Sequence, residues 1–278
     1  MLKEIAISDA YGAGFEFSTK DKIAMHNNLS NYVSHDLYKT VGKYTDDTQM
    51  SIAISELILS NKKWSDLDVA SKFVECFKRD PRTGYSKGFF SVLNEVNDGN
   101  QLLLKIRNSS ERNGAAMRSM PLGFIKSKSE LLAKAKMQAA ITHNTTMGIK
   151  SSCAVALTAH FGLHCKGEIN KIKNFLEKNY FSGWEYEWQG QVSINAFDTV
   201  SAALHCLINC RDLKTLLIKC VSLGGDTDSV SSIAIGLATC FDEYENNLPN
   251  NLIESLDEKN FGMEYLDFLD RKLHDYAF

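Results

Sequence analysis

Two short segments far apart in the chain carry the acids that could do chemistry. One is "YTDDTQMSIAIS", Tyr44 to Ser55, and the other is "GGDTDSVSSIAIG", Gly224 to Gly236. With Asp47 set on Asp228, the tetrapeptide Ser51-Ile52-Ala53-Ile54 falls on Ser232-Ile233-Ala234-Ile235. Each copy puts two aspartates and a hydroxyl residue just before an apolar helical run. Asp, Ser and Thr are preferred helix N-caps, and an acid there gains about 0.3–1 kcal/mol from the helix dipole. That explains one carboxylate per helix; two exceed what capping requires.

If the two helix starts meet in the core, four carboxylates lie within a few ångströms, joined by Glu16 from "DAYGAGFE". At 4 Å, each like-charge pair costs about 1 kcal/mol in water and about 4 at an effective dielectric of 20. Several such pairs would offset most of a typical folding free energy of about 5–15 kcal/mol. Protonation or bound cations must relieve the repulsion. Carboxylate and hydroxyl oxygens suit hard ions such as Mg²⁺, Mn²⁺ or Ca²⁺. From spacing alone, a metal site and plain capping both remain open.

The elements that must position these acids are helical. Met50, Ala53, Ile54, Leu57 and Ile58 recur at helical spacing behind Asp46. Ser65 precedes Asp68 by three residues, a capping-box start for a helix running to about Lys78. Ser127 and Glu130 repeat the device before "LLAKAKMQAAI". The run from Ser229 to Phe241 is apolar on most faces, which predicts a central position wrapped by amphipathic helices. Residues 31–44 are the one place where a short hairpin is expected. With three prolines and no Ser/Gly/Pro-rich linker, the 278 residues read as one all-α domain, a compact multi-helix bundle.

Composition narrows the function classes. A net charge of −3 gives no basic field for non-specific nucleic-acid binding. No apolar run reaches the roughly 18 residues of a membrane span, and the N-terminus lacks a secretory pattern. A cytoplasmic protein is expected, monomeric by default. The seven cysteines are odd in number and form no CxxC, so core thiols are expected. "GYSKG", Gly84 to Gly88, matches the pattern of a hydrolase nucleophile elbow, but a helical run precedes it where a strand is needed. His160 and His164 lie one turn apart, as metal ligands can, yet no partner acid accompanies them; packing is the expectation.

Taken together and in order, "YTDDTQM", "NGAAMRSMPLGF", "THNTTMGIKSS" and "LGGDTDSVSSIAIGLA" resemble the ADP-ribosylglycohydrolase family. The resemblance runs from "SDAYGAGFE" to about Phe241. It implies an all-α fold around two divalent cations, Mg²⁺ or Mn²⁺. The metal ligands it implies are Thr45, Asp46, Asp47, Asp226, Asp228 and Ser229. Glu16 matches an acid beside the metals. Asn113, Gly114 and Ala115 match a loop that holds ADP-ribose, and His143 matches a histidine beside that ligand. The implied activity is hydrolysis of the glycosidic bond between ADP-ribose and an acceptor, such as a protein side chain. Water would attack the anomeric carbon, activated by a metal or by a carboxylate such as Glu16 or Asp47. The alternative is an ADP-ribose-binding member without catalysis. Ser229 departs from the family pattern, where threonine is common. Arg112 also departs from it, standing where a glycine often precedes the asparagine.

Overall fold

The computed structural model describes residues 1–278 and contains fifteen α-helices, two short 3₁₀ turns and only isolated β-bridges. The all-α reading holds. Three helices make the centre: Leu2–Ala13, Asp46–Leu59 and Thr227–Ala238. Every residue of the Thr227 helix is buried, and the Asp46 helix exposes only Glu56 and Leu59 in part. A helix apolar on all faces is stable only when surrounded. The amphipathic helices Asp66–Arg79 and Met263–Ala277 supply part of that wrapping, each packing on the Asp46 helix. One contiguous apolar cluster of 75 buried residues runs from Leu2 to Ala277, so both ends of the chain build the same core.

Close packing of the first helix against the Thr227 helix depends on Gly12. A Cβ there would sit 2.6 Å from the Thr227 carbonyl oxygen and 2.7 Å from Asp228 Cα. In its absence Thr227 Oγ1 donates to the Gly12 carbonyl at 2.7 Å. The contact sets the end of the first helix beside the start of the Thr227 helix. Glu16, four residues on, is thereby delivered to Asp226 and Asp228.

The capping box of Ser65 and Asp68 forms with both bonds. At Ser127 only one forms: its hydroxyl accepts from Glu130 N at 3.4 Å, without a return bond. Residues 31–44 do not make a hairpin. His35 N donates to the Thr40 carbonyl and Lys39 N to the His35 carbonyl, so the segment closes on itself and leaves no strand pair. All seven cysteines are free thiols; six are buried and Cys165 is exposed. No helix is long and apolar enough to cross a membrane.

Candidate metal centre and ligand cavity

The start of the Asp46 helix is held from outside by Asp9, on the first helix. Asp9 is fully buried and accepts four hydrogen bonds: from Thr45 N (2.9 Å), Thr45 Oγ1 (2.8 Å), Thr48 N (3.0 Å) and Thr48 Oγ1 (2.5 Å). Burial pushes its pKa up, and the threonine bonds oppose that shift. Its local signal was an acid inside an apolar run, Ile5 to Tyr11, a position where charge is rarely buried without a partner. With the helix capped in this way, Asp46 and Asp47 are free to serve elsewhere. Both line a cavity.

Asp47 joins the two echoed segments. Its Oδ1 accepts from Ser232 Oγ at 2.7 Å and its Oδ2 from Ser229 Oγ at 3.3 Å. On the other side, Gly224 and Gly225 turn the chain at positive φ. A Cβ on Gly225 would fall 2.0 Å from the Val192 carbonyl oxygen. Asp226 N instead donates to that carbonyl at 3.0 Å, which aims the Asp226 side chain inward. Asn113 Nδ2 donates to Asp226 Oδ2 at 2.6 Å and lies 3.0 Å from Thr199 Oγ1. Carboxylate oxygens of Glu16, Asp226 and Asp228 lie within 4.8 Å of one another.

These acids are electrostatically unbalanced. Burial first, then Asp9 and neighbouring acids, raises Asp46 and Asp47 well above the usual carboxylate range. Asp228 is raised by burial and then by Glu16, Asp226 and Asp47. Asp226 is raised to about 6, chiefly by burial. No lysine or arginine forms an ion pair with any of the four. An all-oxygen, buried and repulsive donor set of this kind suits hard divalent cations.

The cavity measures about 1060 Å³ and places these acids on its buried side. Asn113, Gly114, His143 and Ser229 line it as well. Thr45 and Ala115 do not reach its surface. Thr45 commits its hydroxyl proton to Asp9, and the Ala115 carbonyl accepts from Ser119 Oγ and Gln138 Nε2. Exposed cations, Lys87, Lys105, Arg107 and Arg112, line the outer part. Cavities of this size hold a nucleotide-sized ligand. Tyr85, on the cavity wall, is packed: buried, edge-on to Phe77 and Phe89, with its hydroxyl donating to Gln49 Oε1.

The self-closed 31–44 segment reaches the site: His35, Asp36, Leu37 and Tyr38 line the cavity. His35 Nε2 lies 2.7 Å from Glu16 Oε2, and His35 Nδ1 accepts from Leu37 N (2.9 Å) and Tyr38 N (3.2 Å). Backbone N–H groups only donate, so Nδ1 carries the lone pair and the ring proton sits on Nε2. His35 therefore donates to Glu16 as a neutral imidazole. Nothing in the local sequence pattern announces this contact, which spans a turn and a loop.

The other patterns singled out in the sequence supply no nucleophile elbow and no second metal site. Gly84 to Gly88 follows the Asp66–Arg79 helix without a preceding strand, so it forms no nucleophile elbow, and it lines the cavity. His160 Nδ1 and His164 Nε2 each bond a backbone carbonyl, of Ile125 and Phe124.

The ADP-ribosylglycohydrolase family model matches residues 5–277. The ADP-ribosylhydrolase ARH3 of Mus musculus is 24% identical over 83% of this chain and 76% of its own. The ADP-ribosyl-[dinitrogen reductase] glycohydrolase of Rhodospirillum rubrum is 25% identical over 92% of this chain and 88% of its own. A solved structure titled "ADP-ribosylglycohydrolase-related protein complex" superposes with a TM-score of 0.76 at 20% identity, covering 100% of this chain and 96% of that one. That likeness speaks for the fold, and the family match over nearly the whole length goes further: the chain belongs to the ADP-ribosylglycohydrolase family.

Proposed function

We propose that the protein is a divalent-metal-dependent hydrolase that cleaves the glycosidic bond between ADP-ribose and an acceptor. The observation that carries this reading is the meeting of Glu16, Asp226 and Asp228 within 4.8 Å, on the buried side of a cavity whose outer part is basic. Asp46, Asp47, Asp226 and Asp228 would hold two cations, Mg²⁺ or Mn²⁺, with a hydroxyl oxygen from Ser229; Thr45, whose hydroxyl goes to Asp9, would hold the Asp46 helix start in place behind them. When bound, the cations would neutralise the acids and orient the ribose hydroxyls.

The chain's own groups then divide the work. Asn113 fixes the Asp226 carboxylate. The basic outer residues suit a diphosphate, and Arg112, the departure from the family pattern, is among them. Both oxygens of Asp47 are already engaged by Ser229 and Ser232, which suits a holding role. Glu16 has one oxygen on His35 Nε2–H and makes no other hydrogen bond, so its second oxygen can take the proton of an attacking water. The anomeric carbon gains positive charge as the acceptor leaves, as in glycoside hydrolysis generally. The surrounding carboxylates stabilise that charge.

The test is incubation with Mg²⁺ and a panel of ADP-ribosylated arginine, serine and nucleic-acid substrates. Release of ADP-ribose that EDTA stops is expected from at least one. Tight ADP-ribose binding with no release from any would instead favour a non-catalytic binder. Glu16→Gln should keep its ADP-ribose affinity and lose about 10²–10⁴-fold in turnover, the usual worth of a general base. Unchanged turnover would remove Glu16 from the reaction.

A further inference from the structure

Arg118 is 1% exposed, lines the cavity, and stacks its guanidinium 4.4 Å over the Phe73 ring. Its hydrogen bonds all go to neutral acceptors. Nε donates to Gln138 Oε1, and Nη2 donates to the Gln138 carbonyl (2.9 Å) and to Thr142 Oγ1 (2.8 Å). The Gln138 amide in turn donates to the Ala115 carbonyl, so the loop from Asn113 to Ala115 is tied to the same group.

The proton positions follow from donor accounting. A guanidinium only donates. Thr142 Oγ1 must therefore accept from Arg118, which leaves its own proton for one acceptor. Its other partner is His143 Nδ1, at 2.6 Å. Were the ring proton on Nδ1, the buried Thr142 hydroxyl would receive two donors and its own proton would have no acceptor. An orphaned polar group of that kind costs about 1–3 kcal/mol. Nδ1 thus accepts and Nε2 carries the proton. His143 is itself buried and lines the cavity, with its ring edge over Gly114: a Cβ at position 114 would sit 2.9 Å from His143 Cε1 and 3.2 Å from Nε2. Nε2 makes no hydrogen bond within the protein, and it is not among the sealed polar atoms that lack a partner.

We propose that Arg118 and Thr142 are positioning residues that hold His143 as the neutral Nε2–H tautomer, making it a fixed hydrogen-bond donor to an oxygen of the bound ADP-ribose conjugate and not a proton-transfer base. The ligand half of this statement rests on the proposed function; the tautomer half does not. Burial, with Arg118 and Arg112 adding nearby positive charge, pulls the His143 pKa down to about 3, so the ring stays neutral near pH 7. Arg118 itself is lowered by burial to about 9 and remains charged there.

The experiment is ¹⁵N NMR of histidine-labelled, ligand-free protein at neutral pH, with His143 assigned by its absence in His143→Asn. The expected spectrum shows Nδ1 unprotonated and Nε2 protonated. Arg118→Met would leave a large buried gap, so Thr142→Val, which keeps the shape and removes the hydroxyl, carries the test. It should lose the single-tautomer signature and weaken ADP-ribose binding about tenfold, the scale of one hydrogen bond, while Thr142→Ser restores both. A merely structural role would lower the melting temperature without changing the tautomer. A proton on Nδ1 in the wild type, or a Thr142→Val variant with unchanged spectrum and Kd, overturns the proposal. A wild type that shows the expected tautomer but binds no ADP-ribose would overturn the functional reading and leave the positioning roles standing.

Discussion

The Asp46 helix and the Thr227 helix open on similar residues, yet their starts are finished differently. At the first, Thr45 is the N-cap, and Asp9 receives both its backbone N–H and its hydroxyl as well as those of Thr48. At the second, Asp226 occupies the N-cap position and makes no capping bond; its carboxylate goes to Asn113 and to the acid cluster. Capping and ligand-holding, the two readings of the paired acids, are thus assigned to different residues. The first start is capped by Thr45 and, from another helix, by Asp9, which releases Asp46 and Asp47 to the cavity. At the second start the N-cap side chain makes no bond to the helix; Asp228 Oδ1 accepts from Ser229 N, and both aspartates line the cavity.

This contrast predicts opposite consequences for removing an acid. The largest effect should come from Asp9→Ala, which leaves four buried donors unpaired. At about 1 kcal/mol each the loss is about 4 kcal/mol, a large part of total stability, and the melting temperature should fall by about 10 °C. Circular dichroism would check it; a change of under about 2 °C would erase the distinction between the two starts. Asp228→Asn should do the reverse. Turnover should drop about 10²–10³-fold, the scale of removing one preorganised electrostatic group, while the metal-free protein melts no lower than the wild type because a repulsion is gone. A melting loss like that of Asp9→Ala would show that Asp228 is structural.

Acidity should separate the starts further. Asp226 is raised to about 6 and Asp228 well above the ordinary range, by burial first and neighbouring acids second. A carboxyl with a raised folded-state pKa binds its proton more tightly folded than unfolded. It favours folding at low pH, and that contribution is lost as pH rises through the folded value. EDTA-treated protein should therefore melt lower at about pH 8 than at about pH 5, and Mn²⁺ should raise the melting temperature more at the higher pH. A metal-free melting temperature that rises over this interval would contradict the acid cluster. The smallest effect is expected at His35. His35→Phe should lower kcat about tenfold with little change in KM, as Glu16 loses one hydrogen bond, and His35→Gln should recover part of it. Equal loss in both variants would mean that the ring only fills space.

What the amino-acid sequence disclosed was whatever is written in local spacing. Acids before an apolar run mark Asp46, Asp47, Asp226 and Asp228, and uninterrupted apolar periodicity puts their helices in the centre. Glu16 was reachable as an acid in a glycine-rich turn. Asp9 was visible in principle, as a charge inside a buried stretch, but its partners Thr45 and Thr48 are fixed only by helix packing. His35, Arg118 and Thr142 act through contacts between distant segments, and no periodicity carries such contacts. The expected hairpin at residues 31–44 failed for a related reason: its backbone groups bond within a tight loop, and His35, Asp36, Leu37 and Tyr38 line the cavity.

The central claim is that folding joins the two acidic helix starts into one cage for divalent cations. Anomalous diffraction at the manganese edge, from crystals soaked in Mn²⁺, tests it directly. The account predicts anomalous density between Asp46 and Asp47 on one side and Asp226 and Asp228 on the other, lost in Asp228→Asn. Fully soaked crystals with no density there, while these carboxylates keep the positions described, would contradict it.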